Sequence, residues 1–281
     1  MDIKSKILQG IDDFPTLPTI YTQLSEIMSN PNAGTNDAAK IISYDQAAVS
    51  KILRYSNSSF FSFKKTIDSV SDAILYLGFT EVKNLVLAMS VINLFEDNNT
   101  NSPFSLIDLW KHSIAVGIIT RIIGEESSIK KLENYFIVGI LHNIGKLFII
   151  HNFYNEFIET YKFALKRNIP LVEAEDLMLG TNHYKVGDLV SKKWKLPIQL
   201  RTAIKYYHQG LVDGEFEHLT ASLHLANIVA HIMDLGNPGE NFIAKPNINI
   251  WKPLNLRKNI FTSMMQKIHT DYQSSLELFN L

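Results

Sequence analysis

The sequence predicts an all-α protein built as two lobes. Three observations carry that prediction. Apolar residues recur at helical spacing in nearly every segment, caps and breakers fall between those segments, and no apolar/polar alternation joined by hairpin turns is sustained. Of the 281 residues, 46% are hydrophobic and 20% charged, a globular composition that argues against wholesale disorder.

The elements follow in order. Ile20, Leu24, Ile27 and Met28 share one helix face, Pro18 stands where that helix can begin, and Asn30-Pro31-Asn32-Ala33-Gly34 stops it. A second helix covers Ala38 to Ser43 and a third Ala47 to about Tyr55. Ser69-Val70-Ser71-Asp72 reads as a capping box ahead of Ala73, Ile74 and Leu77. Gly78 then ends that helix in a left-handed turn, and Thr80 caps the next through Val82, Leu85, Val86 and Met89. The polar run Glu96-Asp97-Asn98-Asn99-Thr100-Asn101-Ser102-Pro103 marks the boundary, so residues 1–102 form a small N-terminal lobe and 103–281 a larger bundle with a C-terminal extension. In the larger part, helices are predicted over Leu106–Ile123, Tyr135–His151, Phe153–Arg167, Leu171–Leu179, His183–Trp194, Pro197–His208 and Leu219–Leu235. A loop-rich segment, Gly236–Pro253, and a last amphipathic helix complete the chain.

Charge and composition exclude several function classes. Lys plus Arg number 27 against 28 for Asp plus Glu, and a net charge of −1 gives no global pull toward nucleic acid or an anionic membrane. The absence of cysteine removes disulfide scaffolds, thiolate zinc sites, iron–sulfur clusters and cysteine nucleophiles. Met1-Asp2-Ile3-Lys4-Ser5-Lys6 does not open a signal peptide. The most apolar stretch, Phe136–Ile150, is shorter than the roughly 18 residues of a membrane span and is interrupted by His142, Asn143 and Lys146. The expectation is a soluble, cytoplasmic protein with neither nucleic acid nor membrane as partner. Ser69–Met89 has a helix–turn–helix outline. Its second helix, however, offers only Lys83 and Asn84 to a phosphate or base edge, so core packing is the better reading.

Four of the nine histidines recur in suggestive contexts. His112 lies mid-helix, His142 lies in the apolar run Gly139-Ile140-Leu141-His142-Asn143-Ile144-Gly145-Lys146, His183 opens a helix, and His208 ends one. Imidazoles on four separate helices are what a metal site in a helical bundle requires. Any one of them alone reads more simply as a satisfied core residue.

This order of histidines resembles the HD superfamily of metal-dependent phosphohydrolases. There the first His, a His-Asp pair and a later Asp hold a divalent metal that activates water toward a phosphoester. The N-terminal third sharpens the match. Phe14-Pro15-Thr16-Leu17-Pro18, Ile41-Ile42-Ser43-Tyr44-Asp45-Gln46-Ala47, Leu53-Arg54-Tyr55-Ser56-Asn57-Ser58, Ile67-Asp68-Ser69-Val70-Ser71-Asp72-Ala73-Ile74 and Leu77-Gly78 resemble the HDOD (HD-related output domain) family. The resemblance reaches nearly to Leu235. It implies an HD-like larger bundle and a bacterial signalling module.

The departures matter most. The His-Asp pair reads His142-Asn143, and the later Asp reads Asn227, so His112, His142, Asn143 and Asn227 form a degenerate HD site. Two neutral amides in place of two carboxylates weaken a site built on hard oxygen donors. Where a two-metal branch pairs histidines, this chain has Tyr207 before His208. Asp108, one turn before His112, joins His112, His142, His183 and His208 as the candidate ligand set for a divalent transition metal. The expected role is regulatory, through a protein partner or a small signalling ligand and without catalysis. The competing role is a divalent-metal phosphohydrolase acting on a nucleotide or cyclic dinucleotide, and the oligomeric state stays open.

Asp45, Arg54, Asn57 and Ser58 match polar HDOD positions. They either bind a small anion or shape an interdomain groove, or they close helices through side-chain hydrogen bonds, and the local reading is favoured. Phe60, Phe61 and Phe63 suggest packing between the lobes or an exposed partner surface. His224, Asn227 and His231 share one helix face, which the resemblance turns toward the site.

Overall fold

The computed structural model describes residues 2–30, 33–58, 61, 63, 65–94, 103–240, 242–257, 259–279 and 281, and among them every regular element is a helix. In chain order these begin with α1 (Ile3–Asp13), α2 (Thr19–Ser29), α3 (Thr35–Ser43), α4 (Gln46–Ser56), α5 (Val70–Leu77) and α6 (Phe79–Leu94). They continue with α7 (Leu106–Glu126), α8 (Tyr135–Leu141), α9 (Ile144–Asn152), α10 (Tyr154–Arg167), α11 (Leu171–Leu179) and α12 (His183–Lys193). α13 (Ile198–Tyr206), α14 (Glu217–Ile232), a 3₁₀ turn (Ile248–Ile250), α15 (Trp251–Leu254) and α16 (Ile260–Phe279) complete the chain. No single described helix is long and apolar enough to cross a membrane.

The chain divides into two units, residues 1–16 with 95–260 and residues 17–94 with 261–281. This division differs from a single cut after residue 102, which falls in a segment, 95–102, outside the described residues. The N-terminal helix α1 was not anticipated. Asp2 caps it by accepting from the Ser5 N–H at 2.7 Å, and the chain after it is anchored to the larger unit by specific contacts. The Phe14 ring meets Phe148 edge-on at 5.0 Å and stacks on Trp194 at 5.6 Å. The Trp194 indole N–H donates to the Pro15 carbonyl at 2.8 Å, and the Lys193 ammonium to that of Ile11 at 2.7 Å.

In the smaller unit α2–α6 pack around Leu24, Ala38, Ile42, Ile52, Tyr55, Ala73 and Val86, all fully or nearly fully buried. Ser69 caps α5 by accepting from the Asp72 N–H at 3.0 Å. Gly78 ends α5 at φ +88°, ψ 153°, an extended positive-φ conformation open in practice to glycine, not the left-handed helical turn expected. α6 accordingly starts at Phe79, ahead of Thr80, and buries Val82, Leu85, Val86, Leu87, Ala88 and Met89. Lys83 and Asn84 are buried too, with the Lys83 ammonium over the Tyr21 ring, so this helix packs into the core and presents no recognition face. Phe61 packs edge-on against Tyr55 and stacks on Phe63, all within this unit. Phe60 lies outside the described residues. Within the same unit the Arg54 guanidinium donates to the Glu277 carbonyl of α16.

In the larger unit α7 is the central rod, buried without interruption from His112 to Thr120. Its neighbour α8 crosses it at two glycines, where a Cβ on Gly139 would overlap the backbone of Gly117 and Val116. A second glycine crossing joins α9 to α12, where a Cβ on Gly145 would overlap the His183 carbonyl and the Gly187 N–H. The predicted continuous helix over Tyr135–His151 is instead broken at His142 and Asn143, because Asn143 turns to ψ 14° and its side chain bonds the neighbouring imidazole. We expect Gly145→Ala to cost about 2–3 kcal/mol through overpacking, read as a lower urea midpoint at unchanged slope.

Candidate functional site

The two glycine crossings set four polar side chains against one another in the larger unit. α7 carries His112, the α8–α9 break carries His142 and Asn143, and α14 carries Asn227. The His112 and His142 rings lie 5.8 Å apart. His112 Nε2–H donates to Asn227 Oδ1 at 2.9 Å. His142 Nδ1–H donates to the Gly139 carbonyl at 2.5 Å, and its Nε2 accepts from the Asn143 amide at 2.8 Å. Both asparagines therefore spend a side-chain amide group on a histidine.

Burial decides the charge of this group. His112 is 0% exposed, and its pKa falls to about 3, chiefly through desolvation and further through the charges of Lys146 and His231, against the Asn227 hydrogen bond. His142 is driven well below the usual histidine range by burial and then by His112. Both are neutral imidazoles, and His142 has both ring nitrogens engaged within the protein.

Beside this group opens a cavity of about 490 Å³, lined by Asn143, Lys146, His183, Tyr184, Tyr207, His208, Asn227, His231 and Glu240 among others. His183 at the start of α12 donates from Nδ1 to Glu175 Oε2 at 2.5 Å, and its backbone N–H donates to the same oxygen at 3.0 Å. Tyr184 lies between His183 and His208, stacked on the latter at 4.2 Å, and meets Tyr207 edge-on at 5.1 Å. Burial, and then each other's proximity in the case of Tyr207, raises both phenol pKa values. His224 turns away from the cavity. It bonds the Tyr207 carbonyl through Nδ1 and accepts from the Asn247 N–H through Nε2, tying the α13 end to the segment before the 3₁₀ turn.

His112, His142, Asn143 and Asn227 are thus brought together, with His183 and His208 on the neighbouring cavity wall. Asp108 does not join them. Its side chain pairs with Lys111 at 3.5 Å and is 43% exposed, and Gly236 packs against its backbone carbonyl. Among the described residues no three His, Asp or Glu side chains are disposed to hold one metal ion. Glu175 and Lys146 were not singled out as site residues in the sequence. Each carried a signal, because Glu175 shares the buried α11 face with Leu171, Ala174 and Leu179, and Lys146 sits in a stretch of α9 buried from Ile144 to Ile150. A charged residue where periodicity demands an apolar one is a candidate site residue.

The HDOD domain family matches residues 14–210. The chain belongs to the HDOD family. An HDOD domain protein of unknown function from Geobacter sulfurreducens superposes with a TM-score of 0.81 at 23% identity, covering 99% of this chain and 98% of that one. A Shewanella amazonensis protein, provisionally described as a phosphohydrolase, gives 0.75 at 22% identity with 97% of each chain covered. An uncharacterized protein of Treponema pallidum is 23% identical over 243 residues, 85% of this chain and 46% of its own length. The chain spans about half the length of the curated relatives it matches.

The HDOD positions of the smaller unit act as local fasteners. Asp45 caps α4 by accepting from the Ala48 N–H at 3.0 Å, and Ser58 donates to the Tyr55 carbonyl at 2.7 Å. Asn57 donates to the carbonyls of Leu53 and Ile67 and accepts from the Ile67 N–H at 2.8 Å, pinning the loop to the end of α4. We expect Asn57→Ala to cost about 1–2 kcal/mol in denaturant unfolding, with Asn57→Asp intermediate because it keeps the acceptor.

His112 makes stability pH-dependent in this HDOD chain. Unfolded it protonates near 6.5, but folded it stays neutral to about 3, so between these values the unfolded state binds the extra proton. Stability falls with acidification from pH 6 to 4 by roughly 1.4 kcal/mol per unit for this residue, with no contribution above the unfolded pKa. His112→Gln is expected to flatten that slope by about one proton in urea titrations at pH 7, 6, 5 and 4.

Proposed function

We propose that this HDOD chain is a regulatory module that works by binding, not by hydrolysis, and that its site in the larger unit takes a small ligand. One observation carries the reading: Asn143 and Asn227 hold His142 and His112 as neutral, hydrogen-bonded pairs. An aspartate at 143 has no N–H to give His142 Nε2, so that nitrogen would stay open to a metal. An asparagine closes it. The donor set around His112 contains no carboxylate, and two buried imidazoles and two neutral amides do not fit a hard divalent cation that must activate water.

A Marinobacter aquaeolei protein provisionally described as a signal transduction protein and a Shewanella amazonensis protein provisionally described as a metal-dependent phosphohydrolase share the fold, which leaves the distinction to the site itself. The test is hydrolysis of bis(p-nitrophenyl) phosphate with saturating manganese, alongside calorimetric titration of the metal. We expect no turnover above buffer and no stoichiometric metal binding in the wild type. Asn143→Asp with Asn227→Asp should gain at least tenfold in manganese affinity. Turnover by the wild type that disappears in His142→Ala overturns the proposal in favour of the phosphohydrolase.

A further inference from the structure

Lys146 is a buried charge that the pairing of histidines with asparagines leaves unused. Its side chain is 3% exposed, yet it lines the 490 Å³ cavity. Its ammonium carries three donors, of which one meets the Pro238 carbonyl at 2.6 Å. Among the described residues no carboxylate lies within ion-pair distance of it, although buried ammonium groups are as a rule paired. Burial pulls its pKa down, and the more distant Glu175 and Glu240 oppose that pull.

Asp176 accepts from Asn182 and Lys185, Glu240 accepts from the Leu171 and Phe242 N–H groups, and Glu175 holds His183 through Oε2 while its buried Oε1 has no hydrogen-bond partner. None of the three is in ion-pair contact with the ammonium, whose remaining donors have no protein anion in direct contact among the described residues. The opposite character is supplied close by, where Tyr184, Tyr207 and His208 form an aromatic wall. The cavity volume lies within the roughly 300–1,000 Å³ typical of small-molecule sites.

We infer that this cavity binds a small aromatic anion without metal, its anionic group paired with Lys146 and its ring against the Tyr184–Tyr207–His208 wall. The inference rests on the reading of the site as a binding pocket and adds the chemical class of the ligand. Phosphate and carboxylate would both satisfy an ammonium, a compact point charge without a preferred fork geometry.

The test is calorimetry on the full chain in EDTA with phenyl phosphate, benzoate and neutral benzyl alcohol. At least one anion is expected to bind at one per chain and at least tenfold more tightly than benzyl alcohol, and which one it is distinguishes phosphate from carboxylate. Lys146→Gln keeps an N–H for the Pro238 carbonyl and removes the charge, and should weaken the anion at least tenfold. Should that variant fail to fold, Tyr184→Leu tests the ring wall with the same tenfold expectation. Anions no tighter than benzyl alcohol, or unchanged affinity in the folded variant, overturn the inference. The inference can fail while the hydrolysis assay stays negative, which leaves the non-catalytic reading intact; turnover in that assay overturns the reading itself.

Discussion

The larger unit depends on the backbone contact between α7 and α8 at Gly117 and Gly139. With a side chain at either position the two helices would stand further apart, since a Cβ there falls on the partner's backbone. The close crossing brings His112 and His142 within 5.8 Å of each other in surroundings that admit almost no water. Everything distinctive about the site follows from that proximity. Two imidazoles so placed cannot both be charged, and desolvation keeps each of them neutral. Neutral imidazole needs a donor for one nitrogen and an acceptor for the other. The Gly139 carbonyl, Asn143 and Asn227 supply three of those partners.

The second glycine crossing does comparable work for the cavity wall. Gly145 lets α9 lie directly against the start of α12, so His183 and Tyr184 face the same space as Lys146 and Asn143. Glu175 reaches across from α11 to fix His183 through both its ring and its backbone. At the base of the site His112, His142 and His183 are each held by at least one hydrogen bond of 2.5–2.9 Å. The site is wetter at its rim, where His208 and Asp176 are exposed.

Much of the fold was legible because helical periodicity survives wherever one face of a helix is wet. α2, α4, α10 and α12 keep that contrast and were found near their observed bounds. α7 and α14 are buried nearly all round, so periodicity marks their ends poorly; Ser105 caps the start of α7, whereas α14 starts without a side-chain cap. The break at His142 and Asn143 was invisible for a related reason: an unbroken apolar run carries no mark of where a side chain will compete with the backbone for hydrogen bonds. α1 went unseen because its anchors, Phe148, Lys193 and Trp194, lie far along the chain. The degenerate histidine–asparagine site was legible because it rests on residue identity at spaced motif positions. Glu175 and Lys146 belong to no such motif, and their significance appears only once burial is known. Asp108 misled because sharing a helix face with His112 does not share its depth.

The two asparagines and Lys146 are best understood together. A carboxylate at 143 or 227 would place a negative charge in the same buried space as the Lys146 ammonium, and each would lower the other's desolvation cost. With amides at both positions, the histidines gain hydrogen-bond partners but the ammonium is left with one carbonyl and distant carboxylates. Such a charge is costly in a resting protein, and it persists here at the wall of a cavity large enough for a small molecule. A buried cation at the wall of an open cavity is stabilised by an anion that enters it. The proposed absence of metal chemistry and the proposed anionic ligand thus rest on one arrangement: amides at 143 and 227 beside a buried ammonium that no carboxylate contacts.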